Sequence, residues 1–285
     1  MHSKQISIND HSWLFLGLIG ISILYLNLIW RTTKDVDQLT ISCLFWIAIL
    51  WLLWRKRDGL KYRSDAVSSF VGLLLLGGIL AKTFTLFWFE SVLIPLLPIS
   101  AAIAFTLIAS GFTGISQYLR ELFFAWFLFF PTGVIGRFLD GIVHITILNA
   151  KFATYFLYYL GFDVISRGNQ VLLSLPNLGE FMAIVDYPCA GVPMILLMLK
   201  LALLLISFVP VPRNQRLLIP LFSVVLGFFL GVIRVCILTL LIPNQAQFDY
   251  WHGSQGSQIF STLAITIFSG YCYWILERKS VISNQ

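Results

Sequence analysis

Apolar residues in this chain fall in long unbroken runs, not in the alternating or helical-face patterns of a water-soluble domain. Eight runs, 13–30, 39–54, 66–82, 91–110, 120–136, 189–208, 217–241 and 257–276, carry few charges. They approach the roughly 20 apolar residues that cross a hydrocarbon core. The pattern predicts an all-α polytopic membrane protein with about eight transmembrane helices. No small-residue cleavage site follows the first run, Trp13 to Trp30, and more apolar sequence does, so it reads as a retained anchor.

Two stretches break the pattern. Between Gly136 and Leu160, Phe138, Leu139, Ile142, Ile145, Leu148, Phe152, Phe156 and Tyr159 recur at helical spacing among Arg137, Asp140, His144 and Lys151. That spacing predicts an amphipathic helix lying on the outer membrane face. After Gly161, two β-prone runs, Gln170 to Leu175 and Glu180 to Val185, flank Pro176-Asn177-Leu178-Gly179. They predict a small β-hairpin placed directly before the apolar run that begins at Cys189. With no internal repeat and no low-complexity linker, residues 1–285 read as a single integral membrane domain.

Composition reinforces this reading: 58% of residues are hydrophobic and 11% charged, too few charges to wet the surface of a soluble domain. The net charge of +6 is spread between apolar runs and forms no basic face for nucleic acid. Its distribution instead orients the chain. The densest basic loop is Arg55-Lys56-Arg57 with Lys61 and Arg63, which the bias of cytoplasmic loops towards Lys and Arg places inside. Counting spans from there puts Arg120, Arg213 to Arg216 and the tail Arg278-Lys279 on the same side. Both termini are then cytoplasmic in a plasma (inner) membrane, and segments 137–188 and 242–256 lie outside. A water-facing site belongs in those two segments.

Three residues in or beside them carry usable chemistry. Cys189, in Asp186-Tyr187-Pro188-Cys189-Ala190-Gly191-Val192-Pro193, is expected to open a membrane helix, where the positive dipole end favours a thiolate. Arg234 stands deep in the run 217–241. An arginine near mid-helix costs about 2.5–3.5 kcal/mol to insert, so such a residue usually faces a partner or a wet cavity, snorkelling being the plainer alternative. His252, in Asp249-Tyr250-Trp251-His252-Gly253, sits at the outer edge before the last span. Thiol, imidazole and guanidinium are what acyl transfer through a cysteine requires: a nucleophile, a proton carrier and a positive group. Each also has a plain structural reading, and sequence spacing does not decide whether the three meet. Of the four cysteines, Cys43, Cys236 and Cys272 lie within apolar runs, where a free thiol behaves as a small hydrophobe, and this argues against a disulfide framework. Dispersed cysteines and histidines give no metal-ligand spacing, and no cofactor is implied. His144 reads as a solvent-facing residue, His2 and His11 as flanks of the first span, and Lys82 with Glu90 as caps of an outer loop.

At these positions the sequence resembles the exosortase and archaeosortase family, its cyanoexosortase branch included. These are membrane cysteine transpeptidase-like enzymes with a Cys-small-Gly-aliphatic element, an Arg in a later span and a His-x-x-x-Gly element. Cys189-Ala190-Gly191-Val192, Arg234-Val235 and His252 to Gly256 match in order. The resemblance covers about residues 118–276, taken as the catalytic core, and leaves 1–117 as less characteristic spans. Tyr187 stands where the family commonly has an acid, with Asp186 one residue further back, and Gly231 where it commonly has an asparagine. The resemblance implies cleavage of exported proteins at a C-terminal sorting tail: a Pro-Glu-Pro motif, a hydrophobic helix and a basic cluster. It assigns Cys189 to thioester formation, His252 to proton transfer, and Arg234 to stabilising the oxyanion or orienting the thiolate. Membrane lipid is a further partner. Two alternatives stay open: a membrane acyl or glycan-lipid transferase with His252 as base and Cys189 structural, and a transporter or assembly factor in which Arg234 pairs with an anion. The spans show no paired set of Gly/Pro-broken helices of the kind transporters use.

Overall fold

The structure, a computed structural model, describes residues 9–86, 94–129, 132–176, 178–209, 211–213 and 215–282. His2, Glu90 and the turn residue Asn177 lie outside the described residues. Contacts divide the chain into two compact units, Met1–Pro131 and Thr132–Gln285.

The first unit contains α1 (Asn9–Thr33), α2 (Val36–Lys56), α3 (Ala66–Leu86), α4 (Leu97–Gly114) and α5 (Leu119–Phe129). Asp35 starts α2 by accepting the amides of Asp37 and Gln38 at 2.9 and 3.2 Å, which satisfies two otherwise orphaned donors. Tyr25, Phe45, Trp46 and Phe124 fill the space between helices, while Leu16, Ile23, Ile47 and Phe70 point outward. Such an apolar exterior is stable in lipid and not in water. The stretch Ile94–Phe129 passes as one 36-residue apolar segment, which as a straight helix would span about 54 Å. It is not straight. Gly111 adopts φ 66°, the hydroxyls of Ser110 and Tyr118 are 2.8 Å apart, and the turn at Ile94–Leu96 packs against α5. The chain therefore doubles back within this segment. Across this bend Lys56 pairs with Glu121 at 2.6 Å and also donates to the Gln117 carbonyl.

In the second unit, α6 (Thr132–Val143) and α7 (Ile145–Tyr159) meet at a 68° bend. The expected single surface helix over 136–160 is thus two helices. The reason is local: His144 takes a left-handed φ of 55°, and the Asp140 carboxylate accepts the amide and hydroxyl of Thr146 at 2.7 and 2.9 Å, restarting the helix in a new direction. Three strands follow, β1 (Asp163–Arg167), β2 (Gln170–Leu175) and β3 (Gly179–Ile184), forming an antiparallel sheet in that order. The predicted hairpin is therefore β2 and β3, joined by a third strand. Val164-Ile165 and the Gly168 turn, with φ 61°, are the signal that marks β1.

One face of the sheet is core. Val164, Val171 and Leu173 pack with Ala150, Ala153 and Leu157 of α7 and with Val232, Val235 and Cys236 of the long helix α9 (Leu218–Leu241). α8 (Val192–Phe208), α10 (Gln245–His252) and α11 (Ser254–Ile282) complete the unit. Hydroxyls inside these helices bond back one turn, as Thr154 does to Ala150, Ser223 to Ile219 and Thr239 to Val235. No polar hydrogen of these three is left to the lipid.

Among the described residues, six helical stretches are long and apolar enough to cross a membrane, or seven if the bent α6–α7 pair counts as one span. The protein is a mostly helical multi-pass membrane protein with a small sheet. The count differs from eight because α8, at 17 residues, is shorter than the others and Ile94–Phe129 enters once.

Candidate active site

β3 leads straight into the segment that carries Cys189. The Val185 amide donates to the Asn169 carbonyl at 2.8 Å, extending the ladder by one residue. The chain then turns on a single acceptor: the backbone carbonyl of Asp186 receives the amides of Cys189 and Ala190 at 2.9 and 3.0 Å. Gly191 follows with φ 67°, a left-handed conformation that disfavours side chains, and α8 begins at Val192. A Cβ on Gly191 would lie 2.9 Å from both the Gly227 carbonyl oxygen and the Gly231 Cα. The Cys189 turn therefore rests directly on the backbone of α9, and the glycine at 231 is what permits that approach. The space beside Gly231 holds the Asn149 side chain of α7, whose Oδ1 lies 3.1 Å from where a Cβ would be. Asn149 is wholly buried; its Nδ2 donates to the Ile145 carbonyl at 3.1 Å, and its Oδ1 has no protein partner.

Tyr187, at the position where an acid is common, lays its ring over Gly136 of α6, so close that any Cβ there would collide with it. Asp186 is exposed and contributes its backbone carbonyl to the turn.

Arg234 rises from α9, 7% exposed, and joins two segments. One terminal nitrogen donates to the Pro188 carbonyl at 3.2 Å and the other to the His252 carbonyl at 3.3 Å. The guanidinium carbon stands 6.0 Å from the centre of the Phe260 ring, and Nε has no protein partner. The arginine thus ties the residue before Cys189 to the last residue of α10. Its charge is held by carbonyls and an aromatic face, as a cation within an apolar helix must be.

His252 closes α10, which Asn244 caps by accepting the Gln247 amide at 3.3 Å. Its ring is exposed and stacks on Phe248 one turn earlier, with centroids 5.3 Å apart and planes 11° from parallel. The Trp251 backbone lies 2.5 Å from where a Cβ on Gly256 would be, so the last residue of the His-x-x-x-Gly element is a close-approach glycine.

Cys189 and His252 line one cavity of about 160 Å³. Val235, Leu238 and Thr239 of α9 line it as well, together with Ile242, Gln245 and Phe248 and with Met182 to Val185 of the β3 segment. Arg234 does not line it; it anchors the backbone beside both residues. The sequence pointed to Cys189, Arg234 and His252, and the structure brings all three to one place. It did not point to Phe248, although the i, i+4 spacing to His252 on a helix is legible, nor to the β3 wall or Asn149.

The thiol of Cys189 is raised above its ordinary range, chiefly by burial and also by the nearby Asp186 carboxylate, with Arg234 acting the other way. A thiolate favoured by a helix dipole was expected. Burial outweighs that effect, and the helix starts three residues later, at Val192. The other three cysteines are free thiols away from this cavity; Cys236 points its sulfur at the Ala153 carbonyl at 3.7 Å. Among the described residues no three His, Cys, Asp or Glu side chains cluster as a metal site would require.

A multi-pass membrane protein holding a thiol and an imidazole on one cavity, braced by a buried guanidinium, has the layout of a membrane cysteine transpeptidase or protease. Residues 30–269 match the family model for transmembrane exosortases, and the chain belongs to that family. The match reaches well before residue 118, where the motif resemblance begins, and so takes in most of the first unit. Searches of curated proteins and of solved structures each returned no match.

Proposed function

We propose that this exosortase cleaves exported proteins at a C-terminal sorting tail, with Cys189 as nucleophile, His252 as proton carrier and Arg234 as the brace that holds the two in register. The tail comprises a Pro-Glu-Pro motif, a membrane-spanning helix and a basic cluster. Its helix lies in the bilayer of the plasma membrane and delivers the scissile segment to the extracytoplasmic interface, so that encounter becomes a positioned reaction. The observation that carries the reading is the shared cavity of Cys189 and His252.

The buried, protonated thiol needs a base. His252 removes the Sγ proton as sulfur attacks the scissile carbonyl carbon, and the protonated imidazole then delivers that proton to the departing amine as the C–N bond breaks. The acyl group remains on Cys189 as a thioester. Water or an amine of the cell envelope then attacks the thioester carbonyl, giving its proton to His252, and the thiolate leaves and is reprotonated. The nearby guanidinium of Arg234 favours the sulfur anion against the cost of its burial.

The test is cleavage of a tagged, tail-bearing reporter in cells. Cys189→Ala, checked for folding by its elution as a monodisperse species, is expected to accumulate uncleaved reporter. Continued cleavage at the wild-type rate by the folded variant would refute the reading.

A further inference from the structure

β3 is the terminal strand of the sheet, and its hydrogen bonding has a fixed parity. The register pairs Val171 with Ala183 and Leu173 with Phe181, and the Val185 amide donates to Asn169. In an antiparallel ladder, residues alternate between pointing both backbone groups at the partner and pointing both away. Val185, Ala183 and Phe181 therefore face β2, and the N–H and C=O groups of Ile184, Met182 and Glu180 point to the open edge. Two of these three, Met182 and Ile184, line the cavity that holds Cys189 and His252. The two residues are 51% and 52% exposed. Met182 to Val185 contribute a continuous stretch of the lining, α10 residues Gln245, Phe248 and His252 line the same cavity, and the chain runs on from the strand into Cys189. None of the lining residues is Asp, Glu, Lys or Arg, so the cavity offers backbone groups, apolar side chains and the neutral polar groups of Thr239 and Gln245 as its means of recognition.

We propose that the substrate polypeptide binds by adding a fourth strand to the free edge of β3, in extended form, between β3 and α10. This rests on the proposed function and supplies its binding mode. Main-chain hydrogen bonds to Met182 and Ile184 fix the register, and the strand direction carries the scissile carbonyl to Cys189. One consequence follows for the tail motif. Prolines two residues apart fall on the same parity, so a single register turns both of their missing N–H groups away from β3, and in that register the glutamate between them presents its N–H and C=O to the edge.

The test is disulfide trapping in the full-length protein. A Cys189→Ala/Ile184→Cys variant is combined with a tail-bearing protein carrying one cysteine at successive positions around the Pro-Glu-Pro motif, under mild copper-phenanthroline oxidation. Cys189→Ala alone and Cys189→Ala/Ile165→Cys, whose new thiol lies on the far strand of the sheet, serve as controls. Trapping at Ile184→Cys is expected at every second tail position, about tenfold above its neighbours, as side chains alternate across a strand, with neither control trapping. Trapping without a two-residue period, or equal trapping from Ile165→Cys, would overturn the inference. Because the readout needs no cleavage, periodic trapping together with unimpaired cleavage by Cys189→Ala would leave strand addition standing and remove the catalytic reading. Normal Cys189-dependent cleavage without the period would do the reverse.

Discussion

Burial decides the chemistry of Cys189. A thiol raised above its ordinary range stays protonated at neutral pH, so alkylation by iodoacetamide should increase with pH and reach its midpoint above that of a free cysteine, about 8.5. Asp186→Asn removes the charged group that adds to the effect of burial, and the midpoint should move down, read by mass spectrometry of the alkylated peptide; an unchanged or higher midpoint would contradict the assignment. Arg234 is the other residue whose form is specific. Its two terminal nitrogens reach carbonyls on different segments, a span that a single ammonium does not reproduce. Arg234→Lys should therefore keep the charge and still lose about 100-fold or more of reporter cleavage, the scale of effect of small misplacements in an active site. Activity within a few-fold of wild type would show that charge alone suffices. The three chemical residues were legible because a membrane makes polar residues conspicuous. Asn149 was not, since a polar residue in a segment read as surface helix carries no such contrast.

Glycine contacts set how closely the elements pack around the site. Gly191 and Gly231 bring the Cys189 turn against α9 with almost no intervening side chain. Gly231→Val should separate them, costing about 1–3 kcal/mol as an overpacked contact does, and should lower Tm and cleavage together. An unchanged Tm would mean that the crossing is not tight. Gly231 was legible as a departure from the family pattern but not as a contact, because what it meets comes from residue 191. The apolar runs gave most helices directly, since their length alone marks them. The bend at His144 escaped the sequence because it depends on Asp140 capping Thr146 across the break, and β1 escaped because its two apolar residues are too few to show alternation.

At the scale of the whole molecule, the site lies within the second unit, and charge bias alone orients it. Cysteines placed at Ile165 and Gln245 should react with a membrane-impermeant maleimide in intact cells, and cysteines at Arg57 and Arg213 only after permeabilisation. Labelling of Ile165 and Gln245 from opposite faces would reverse the topology. Parity is an expectation drawn from scattered basic loops; convergence of residues 189, 234 and 252 was not legible, because it is made by the packing of α8 and α10 on α9 and of α9 on the sheet. That convergence is best measured by a double-mutant cycle on reporter cleavage with Cys189→Ala, His252→Ala and the pair. Each single variant should lose about 100-fold or more, and the double variant should be no slower than the worse single, as for residues acting in one step. Losses that multiply, or a His252→Ala variant with wild-type activity, would contradict a shared thiol and imidazole site.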